Sequence, residues 1–370
     1  MKSRSLFYKA INEDPEGGIY DEVPTEEEDL WFLPGPGEEE DIPPGAPPLP
    51  RANQTSLVDL KSWQNAEGAL AKPLAQLSAR LGALDERLRC APEGWRHRLA
   101  LIEASELSWL GTRRISVERL ALWQSLRLNN ALEDTQSLAR SGWALRRLSG
   151  GVATLKSSVD EIAAFLDRKD PEGLAEAEAG GQVGETFWDQ LTSWCTEMQQ
   201  AQDLHPITRA CFGFHLWELV GLLDRLPGAD MEAAVLAARL ATSDLPGGSL
   251  FLPLSGGGVS GLRRGGSPVD RLRHFVEGAA AATLAALRHL EQLENWQRRA
   301  DRSLAHKSGR TPKQLVTLLA SWPQVSAPMA EAEVGASRAA IQRNLNDMHQ
   351  LGLIREITGQ GRYRVWSAQL

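Results

Sequence analysis

The chain has 370 residues, 42% of them hydrophobic and 24% charged, and a formal net charge of −8. That length allows two or more compact domains, since a single core stops growing at about 250–300 residues. The acidity is local: of 48 acidic residues 13 fall in residues 13–41, which hold no Lys or Arg, so the remainder sets 40 basic against 35 acidic residues.

No run approaches the roughly 18 uninterrupted apolar residues that span a bilayer. The basic start, Met1 to Ala10, has no apolar segment behind it, so neither a membrane partner nor an export signal is expected. Cys90, Cys195 and Cys211 are odd in number, lack CxxC spacing and have no histidines nearby in a zinc pattern. This argues against a disulfide framework and a metal knuckle. A soluble chain in the reducing cytoplasm, with no metal and no cofactor, is the expectation.

Residues 1–52 read as a disordered arm. From Asn12 to about Arg51 the chain is first acidic and then proline-rich, with seven prolines between Pro34 and Pro50, and such a segment buries too little apolar surface to offset the entropy of ordering. Leu30-Trp31-Phe32-Leu33 is an apolar island within it. It suits docking on a protein partner or on the basic body, or it is an incidental cluster in a solvated tail.

Residues 53–305 read as a helical domain. Leu70, Leu74, Leu77, Leu81, Leu84 and Leu88 alternate steps of four and three, which draws one stripe along a helix. Cys90 to Gly94 breaks it, and a second helix runs through Leu99, Ile102, Leu107 and Leu110 to Gly111. Short helices are expected at Ile115 to Leu128, Leu138 to Leu148, Val159 to Leu166 and Phe187 to Gln199. Another opens at His205-Pro206 and continues through Phe212, Leu216, Leu219 and Leu223, and Met231 to Leu240 is Ala-rich and helical. Val269 to about Leu304 predicts one long helix with Leu284, Leu287, Leu290, Leu293 and Trp296 at steps of three. The twelve tryptophans fall mostly at core spacings.

Between these last helices, residues 243–268 are dense in Gly, Pro and Ser. Gly256, Gly258 and Gly261 satisfy GxGxxG after Leu250 to Leu254, with Arg263-Arg264 at hand for a phosphate. Pro253 spoils the strand, however, and Gly265-Gly266-Ser267-Pro268 stands where the helix should start, so a flexible loop is expected. His215 and Glu218 share a helical face, but two ligands do not make a metal site. His215 reads as a core histidine.

Residues 306–370 carry the strongest signal. Pro312 suits a first helical turn, and that helix runs through Leu315, Leu318 and Leu319 to Trp322, where Pro323 stops it. Ala327 to Val334 is a short second helix and Gly335-Ala336 a turn. Ser337 is an N-cap for a third helix, 337–351, with Gly352 as its left-handed stop. Ile354 to Thr358 and Arg362 to Trp366 are β-rich runs joined by Gly359-Gln360-Gly361, which predicts a wing over 354–366.

On the third helix Ile341, Leu345 and Met348 share the inward face. At 100° per residue Ala339, Arg343, Asn346 and Gln350 then point away from it, with Gln342 at the flank. Arg, Asn and Gln are the side chains that pair with guanine and adenine edges in the major groove of double-stranded DNA. Ser337 and Arg338, at the helix start, suit phosphate, as do Arg362 and Arg364 on one side of the second wing strand. Residues 310–370 hold seven basic and four acidic residues, a small surplus for phosphate binding. A homodimer would double the footprint. Winged helices also serve as protein docking modules, and that alternative stays open.

Val325-Ser326-Ala327-Pro328-Met329, Val334-Gly335-Ala336-Ser337-Arg338 and the stretch Leu351 to Trp366 resemble the winged-helix tail of many bacterial Fic proteins. One departure is Glu331, four before Gly335, where such motifs keep a small residue because two helices touch. Ala330 and Ala332 flank it, so a small local shift is expected to accommodate it. Leu204 to Ala210, followed by Phe214, Trp217 and Glu218, resembles the helix that leads into the Fic motif HxFx(D/E)GNGR. The register puts Gly221 at the catalytic histidine, and Leu222 to Ala229 offers no GNGR loop. Glu103 to Thr112 resembles the Fic inhibitory helix, with Leu110 in place of its glutamate. The resemblance thus implies a degenerate body without base or phosphate cradle, and no catalytic residue is assigned.

From about Leu77 onward, with Leu84 to Leu88, Trp109-Leu110-Gly111 and the winged tail, the chain is most similar to a family from plant-associated, rhizobial alphaproteobacteria, often plasmid-borne. Its members pair a helical domain of unknown function with a C-terminal helix-turn-helix, which implies DNA binding. The expected fold is mainly α: a degenerate Fic-like helical domain, then a winged helix-turn-helix. The preferred function is a DNA-binding regulator. The alternatives are a protein-interaction or plasmid-associated scaffold protein that docks through the winged helix, and an enzyme with a remodelled nucleotide site.

Overall fold

The computed structural model describes residues 57–111, 113–126, 132–150, 157–168, 183–223, 229–245, 247, 251–256, 258–358 and 364–370. The acidic arm at 1–52 with Leu30 to Leu33, the Gly359-Gln360-Gly361 turn and Arg362 lie outside the described residues. The body comprises α1 (Leu60–Ala69), α2 (Ala71–Cys90), α3 (Glu93–Leu107), α4 (Val117–Leu126), α5 (Leu132–Ser149), α6 (Val159–Phe165), α7 (Val183–Gln200), α8 (Pro206–Leu219), α9 (Ala229–Leu240) and α10 (Pro268–Ser303). The C-terminal module comprises α11 (Thr311–Ser321), β1 (Val325–Ser326), α12 (Ala327–Val334), α13 (Arg338–Gln350), β2 (Ile354–Glu356) and β3 (Val365–Ala368). The chain is mainly α, and no described helix is long and apolar enough to cross a membrane.

Every leucine of the expected stripe from Leu70 to Leu88 is buried, and α2 lays that face on α10. Helix α3 is central: Trp95, Leu99, Ala100, Leu101, Ala104 and Leu107 are buried around its circumference, against α5 on one side and α11 on another. Helix α8 starts as its sequence predicts. Pro206 sits in the first turn, and the Nδ1 of His205 accepts the Ile207 amide at 3.2 Å.

Helix α10 corrects the expected stripe. Leu284 and Leu287 are only half-buried, and the inward line runs through Leu272, Phe275, Ala279, Ala282, Ala286, Leu290, Leu293, Trp296 and Ala300. Steps of three slip about 60° each around a helix of 3.6 residues per turn, so a 36-residue helix keeps one face inward only with steps of three and four mixed. Its start is fixed by a capping box: the Ser267 hydroxyl accepts the Asp270 amide at 3.4 Å, and the Asp270 carboxylate accepts the Ser267 amide at 3.3 Å.

Described residues of the glycine-rich segment 243–268 pack on the body. Phe251, Leu252, Leu254 and Leu262 are buried, the Leu252 amide donates to the Ala238 carbonyl at 2.8 Å, and Val259–Leu262 forms a 3₁₀ turn. The glycines allow its backbone to touch α10. A Cβ on Gly256 would lie 2.8 Å from the Ala282 Cα, and one on Gly261 would lie 3.0 Å from the Gly278 Cα. Of the GxGxxG glycines, Gly256 and Gly261 serve close packing and Gly258 takes a positive φ of 96°.

From Ala52 onward the chain forms one unit. Between the end of α10 and the start of α11 the chain passes from body to winged module, and buried residues of both join in one core. At the contact between α3 and α11, a Cβ on Gly94 would lie 1.9 Å from the Ser321 hydroxyl oxygen. The His97 and Trp322 rings meet there with centroids 4.6 Å apart.

Candidate nucleic-acid interface

The local chemistry of the C-terminal module builds three helices and a small sheet. Pro312 occupies the first turn of α11, and Trp322 ends that helix in an extended conformation. The Ser326 hydroxyl accepts the Met329 amide at 3.3 Å and so caps α12. Gly335 turns the chain with φ 66° and ψ 30°, a left-handed conformation that favours glycine. The Ser337 hydroxyl accepts the Ala340 amide at 3.4 Å and caps α13, and Gly352 stops the helix region with φ 66°.

The strands differ from expectation in extent. Ile354–Glu356 is shorter than the expected run, and the second strand is Val365–Ala368 in place of Arg362 to Trp366. Val365, Trp366 and Ala368 turn into the core, which sets where the strand pairs. The sequence reading also missed β1, only two residues long, which joins an antiparallel sheet of order β1-β3-β2 with Val325 opposite Trp366 and Glu356 on its other side.

On α13, Ile341, Leu345 and Met348 are buried as expected. Ala339, Arg343, Asn346 and Gln350 are exposed along the other side, and Gln342 is half-buried at the flank. The structure therefore brings these five expected residues together. It adds one contact: the Gln342 amide nitrogen donates to Asn346 Oδ1 at 3.1 Å, which orients both side chains. Ser337 and Arg338 are exposed at the helix start. Arg364 is exposed, but it precedes β3 and is not part of it. Arg355, exposed on β2, adds a positive charge that the sequence reading did not assign.

Glu331 is accommodated as a half-exposed side chain. Ala330 takes the buried position instead, and Glu331 Oε1 lies 3.8 Å from the Arg338 guanidinium, whose side chain is 83% exposed.

Behind this face the module is fastened to the body by polar contacts that sequence reasoning missed. The Trp296 indole of α10 donates to the Leu353 carbonyl at 2.7 Å, just before β2, and Arg299 donates to the Gln369 carbonyl. Lys307 pairs with Asp347 of α13 at 2.6 Å. Arg98 of α3 donates through Nη1 to the carbonyls of Leu319 and Ala320 at 3.1 and 3.4 Å, which belong to the last turn of α11. A cation suits that helix end, where carbonyls have no partner in the helix. The Arg98 Nε also donates to His289 Nε2 of α10 at 3.0 Å, so that nitrogen carries no proton. Burial lowers Arg98 to about 10, and burial followed by the Arg98 charge lowers His289 to about 4.

The expected pair His215 and Glu218 is not a joint site. His215 is buried, its Nδ1 lies 2.9 Å from the Arg271 guanidinium and its ring stacks on Trp63. Burial, then Arg271 and Arg264, holds it well below the usual histidine range. Glu218 turns to Arg264 at 3.5 Å. Among the described residues no three His, Cys, Asp or Glu side chains are grouped to hold a metal ion.

A capped third helix set behind a left-handed turn, with a three-stranded antiparallel sheet beside it, defines a winged helix-turn-helix. Residues 312–368 match the family described as HTH DNA binding domain. The C-terminal module is a helix-turn-helix DNA-binding domain. No curated protein matches the chain.

Proposed function

We propose that the protein is a transcriptional regulator that reads double-stranded DNA with α13 in the major groove and rests its wing on the backbone. The observation that carries this reading is the solvent-facing row of Arg343, Asn346 and Gln350, with Gln342 bonded to Asn346 beside it. Arg suits guanine and Asn suits adenine, each paired contact contributing about 1–3 kcal/mol of discrimination. Ser337 and Arg338 sit where phosphates flank the groove, and Arg355 and Arg364 supply charge near the wing. The charge surplus of the module is small, which favours a homodimer with two such helices about one DNA turn apart. The body is read as non-catalytic, with Gly221 where a Fic enzyme has its histidine. Such a regulator acts in the cytoplasm.

The test is selection of genomic fragments by the full chain, followed by anisotropy titration of the preferred fragment at several salt concentrations. Changing both Arg343 and Asn346 to Ala should weaken binding at least thirtyfold and leave the unfolding midpoint unchanged, since both side chains are in solvent. If the full chain retains no fragment at low salt, or if it captures a stoichiometric protein through α13 and ignores DNA, the reading is wrong.

A further inference from the structure

A cavity of about 330 Å³ lies between α3, residues 251–258 and α10. Its walls are largely apolar, with Leu99, Phe251, Pro253 and Ala286 among them, and its polar groups are Glu103, Glu106 and His289. The volume is at the lower end for small-molecule sites, and an apolar pocket with a few convergent polar groups is their usual form.

The polar groups are one-sided. No Lys or Arg lines the cavity; Glu106 pairs with Arg114 at 3.4 Å, whereas among the described residues no ion pair reaches Glu103. Glu103 is nonetheless only 4% exposed, on the central helix of the body. Its Oε1 accepts the amides of Leu254 and Ser255 at 2.8 and 3.1 Å, so the ordered glycine-rich segment is built onto this carboxyl. Burial raises Glu103 to about 7, with a small push from Glu106, against the pull of those amides. A buried carboxylate normally has a cationic partner. Here the chain leaves that partner out, so Glu103 holds its proton until a cation arrives, and there is space beside the group for one.

The cavity also adjoins the contact between body and reader. His289 lines it and accepts from Arg98, and Arg98 holds the last turn of α11, the first helix of the DNA-binding module.

We propose that this cavity is an effector site for a small organic cation. An ammonium or amidinium head lies against Glu103 and Glu106, an apolar body lies against Leu99, Phe251 and Ala286, and occupancy is relayed through His289 and Arg98 to α11. The relay rests on the DNA-binding reading; the site itself does not. A ligand acts at a distance only through a different affinity for two states, and the effect is reciprocal. The two states here are Arg98 seated on, or displaced from, the α11 carbonyls.

The experiment has two arms, both with the full chain. In calorimetry the probes are benzamidinium and phenethylammonium, with neutral benzamide and anionic phenylacetate as controls. Both cations should bind and the controls should not, and changing Glu103 and Glu106 to Gln should lower cation affinity at least tenfold. Should that double variant fail to fold, Ala286→Leu, which fills the cavity, should lower it likewise. No binding by either cation, equal binding by the controls, or indifference to both sets of changes overturns the site. In the second arm, saturating benzamidinium should shift affinity for the selected DNA fragment at least fivefold, and Arg98→Met should abolish the shift. Binding of the cation with no change in DNA affinity overturns the relay. Failure to bind any DNA counts against the DNA reading, while calorimetry still decides the site.

Discussion

Helices α3 and α13 both place polar side chains among apolar ones, but in opposite directions. Helix α13 turns Ile341, Leu345 and Met348 inward and leaves Arg343, Asn346 and Gln350 in solvent. Helix α3 buries Arg98 and Glu103 along with its apolar residues. In solvent a polar group costs the fold nothing and stays available to a partner. Inside, it must be matched by the protein, so Arg98 meets two carbonyls and a histidine and Glu103 meets two amides. Changes to the outer set are expected to leave stability in place, while changes to the inner set alter it.

The largest effect that would sharpen this contrast is expected from Arg98→Ala. It strips the last turn of α11 of its cation and leaves buried carbonyls unmatched, so urea unfolding should show a loss of about 3–4 kcal/mol. A loss below about 1 kcal/mol would mean that α3 holds the winged module by apolar packing alone.

Next comes the pH dependence of Glu103→Gln. In the folded chain Glu103 keeps its proton up to about pH 7, against an ordinary value of 4.5. The stability that this proton supplies is complete below pH 4.5 and is lost as pH rises through 7. The Gln variant does not suffer that loss, so its stability relative to the parent should rise by about 2–3 kcal/mol between pH 4.5 and 8. His289 works the other way, its contribution being present above 6.5 and lost as pH falls through about 4. It is common to both proteins and cancels in the difference. Parallel unfolding curves at the two pH values would show that Glu103 is not held protonated.

The smallest effect belongs to the outer set. Arg338 is 83% exposed and lies 3.8 Å from Glu331, a surface pair that contributes within about 0.5 kcal/mol. Arg338→Ala should leave the unfolding midpoint in place and reduce the salt dependence of DNA binding by about one counterion, read as the slope of affinity against salt. A change in stability well above that range would place Arg338 in the architecture of the turn.

The same contrast explains what could be read from sequence. The solvent-facing side of α13 was legible because an amphipathic helix fixes its exposed residues once Ile341, Leu345 and Met348 are placed inward. The leucines of α2, the helix start at His205-Pro206, the turn at Gly335 and the cap at Ser337 were legible for similar local reasons. The cavity and the seam were not. Arg98, Glu103 and His289 come from helices far apart in the chain, and no local rule pairs them. One signal was present: Glu103 stands four residues after Leu99 and four before Leu107, so a carboxyl falls within the apolar stripe of α3. The packing of the glycine-rich segment was not legible, because composition shows permissive backbone but does not show that Gly261 and Gly278 meet. β1 was missed because two residues carry no alternation to detect.

The bond from Arg98 to the Leu319 carbonyl spans 221 positions of sequence. A ribosome delivers α3 long before α11, so until the winged module emerges the body holds a guanidinium whose carbonyl partners do not yet exist. Trp296 likewise waits for Leu353. A chain cut short before Thr311 lacks both sets of partners and keeps their donors in its interior. The winged module therefore completes the body that carries it.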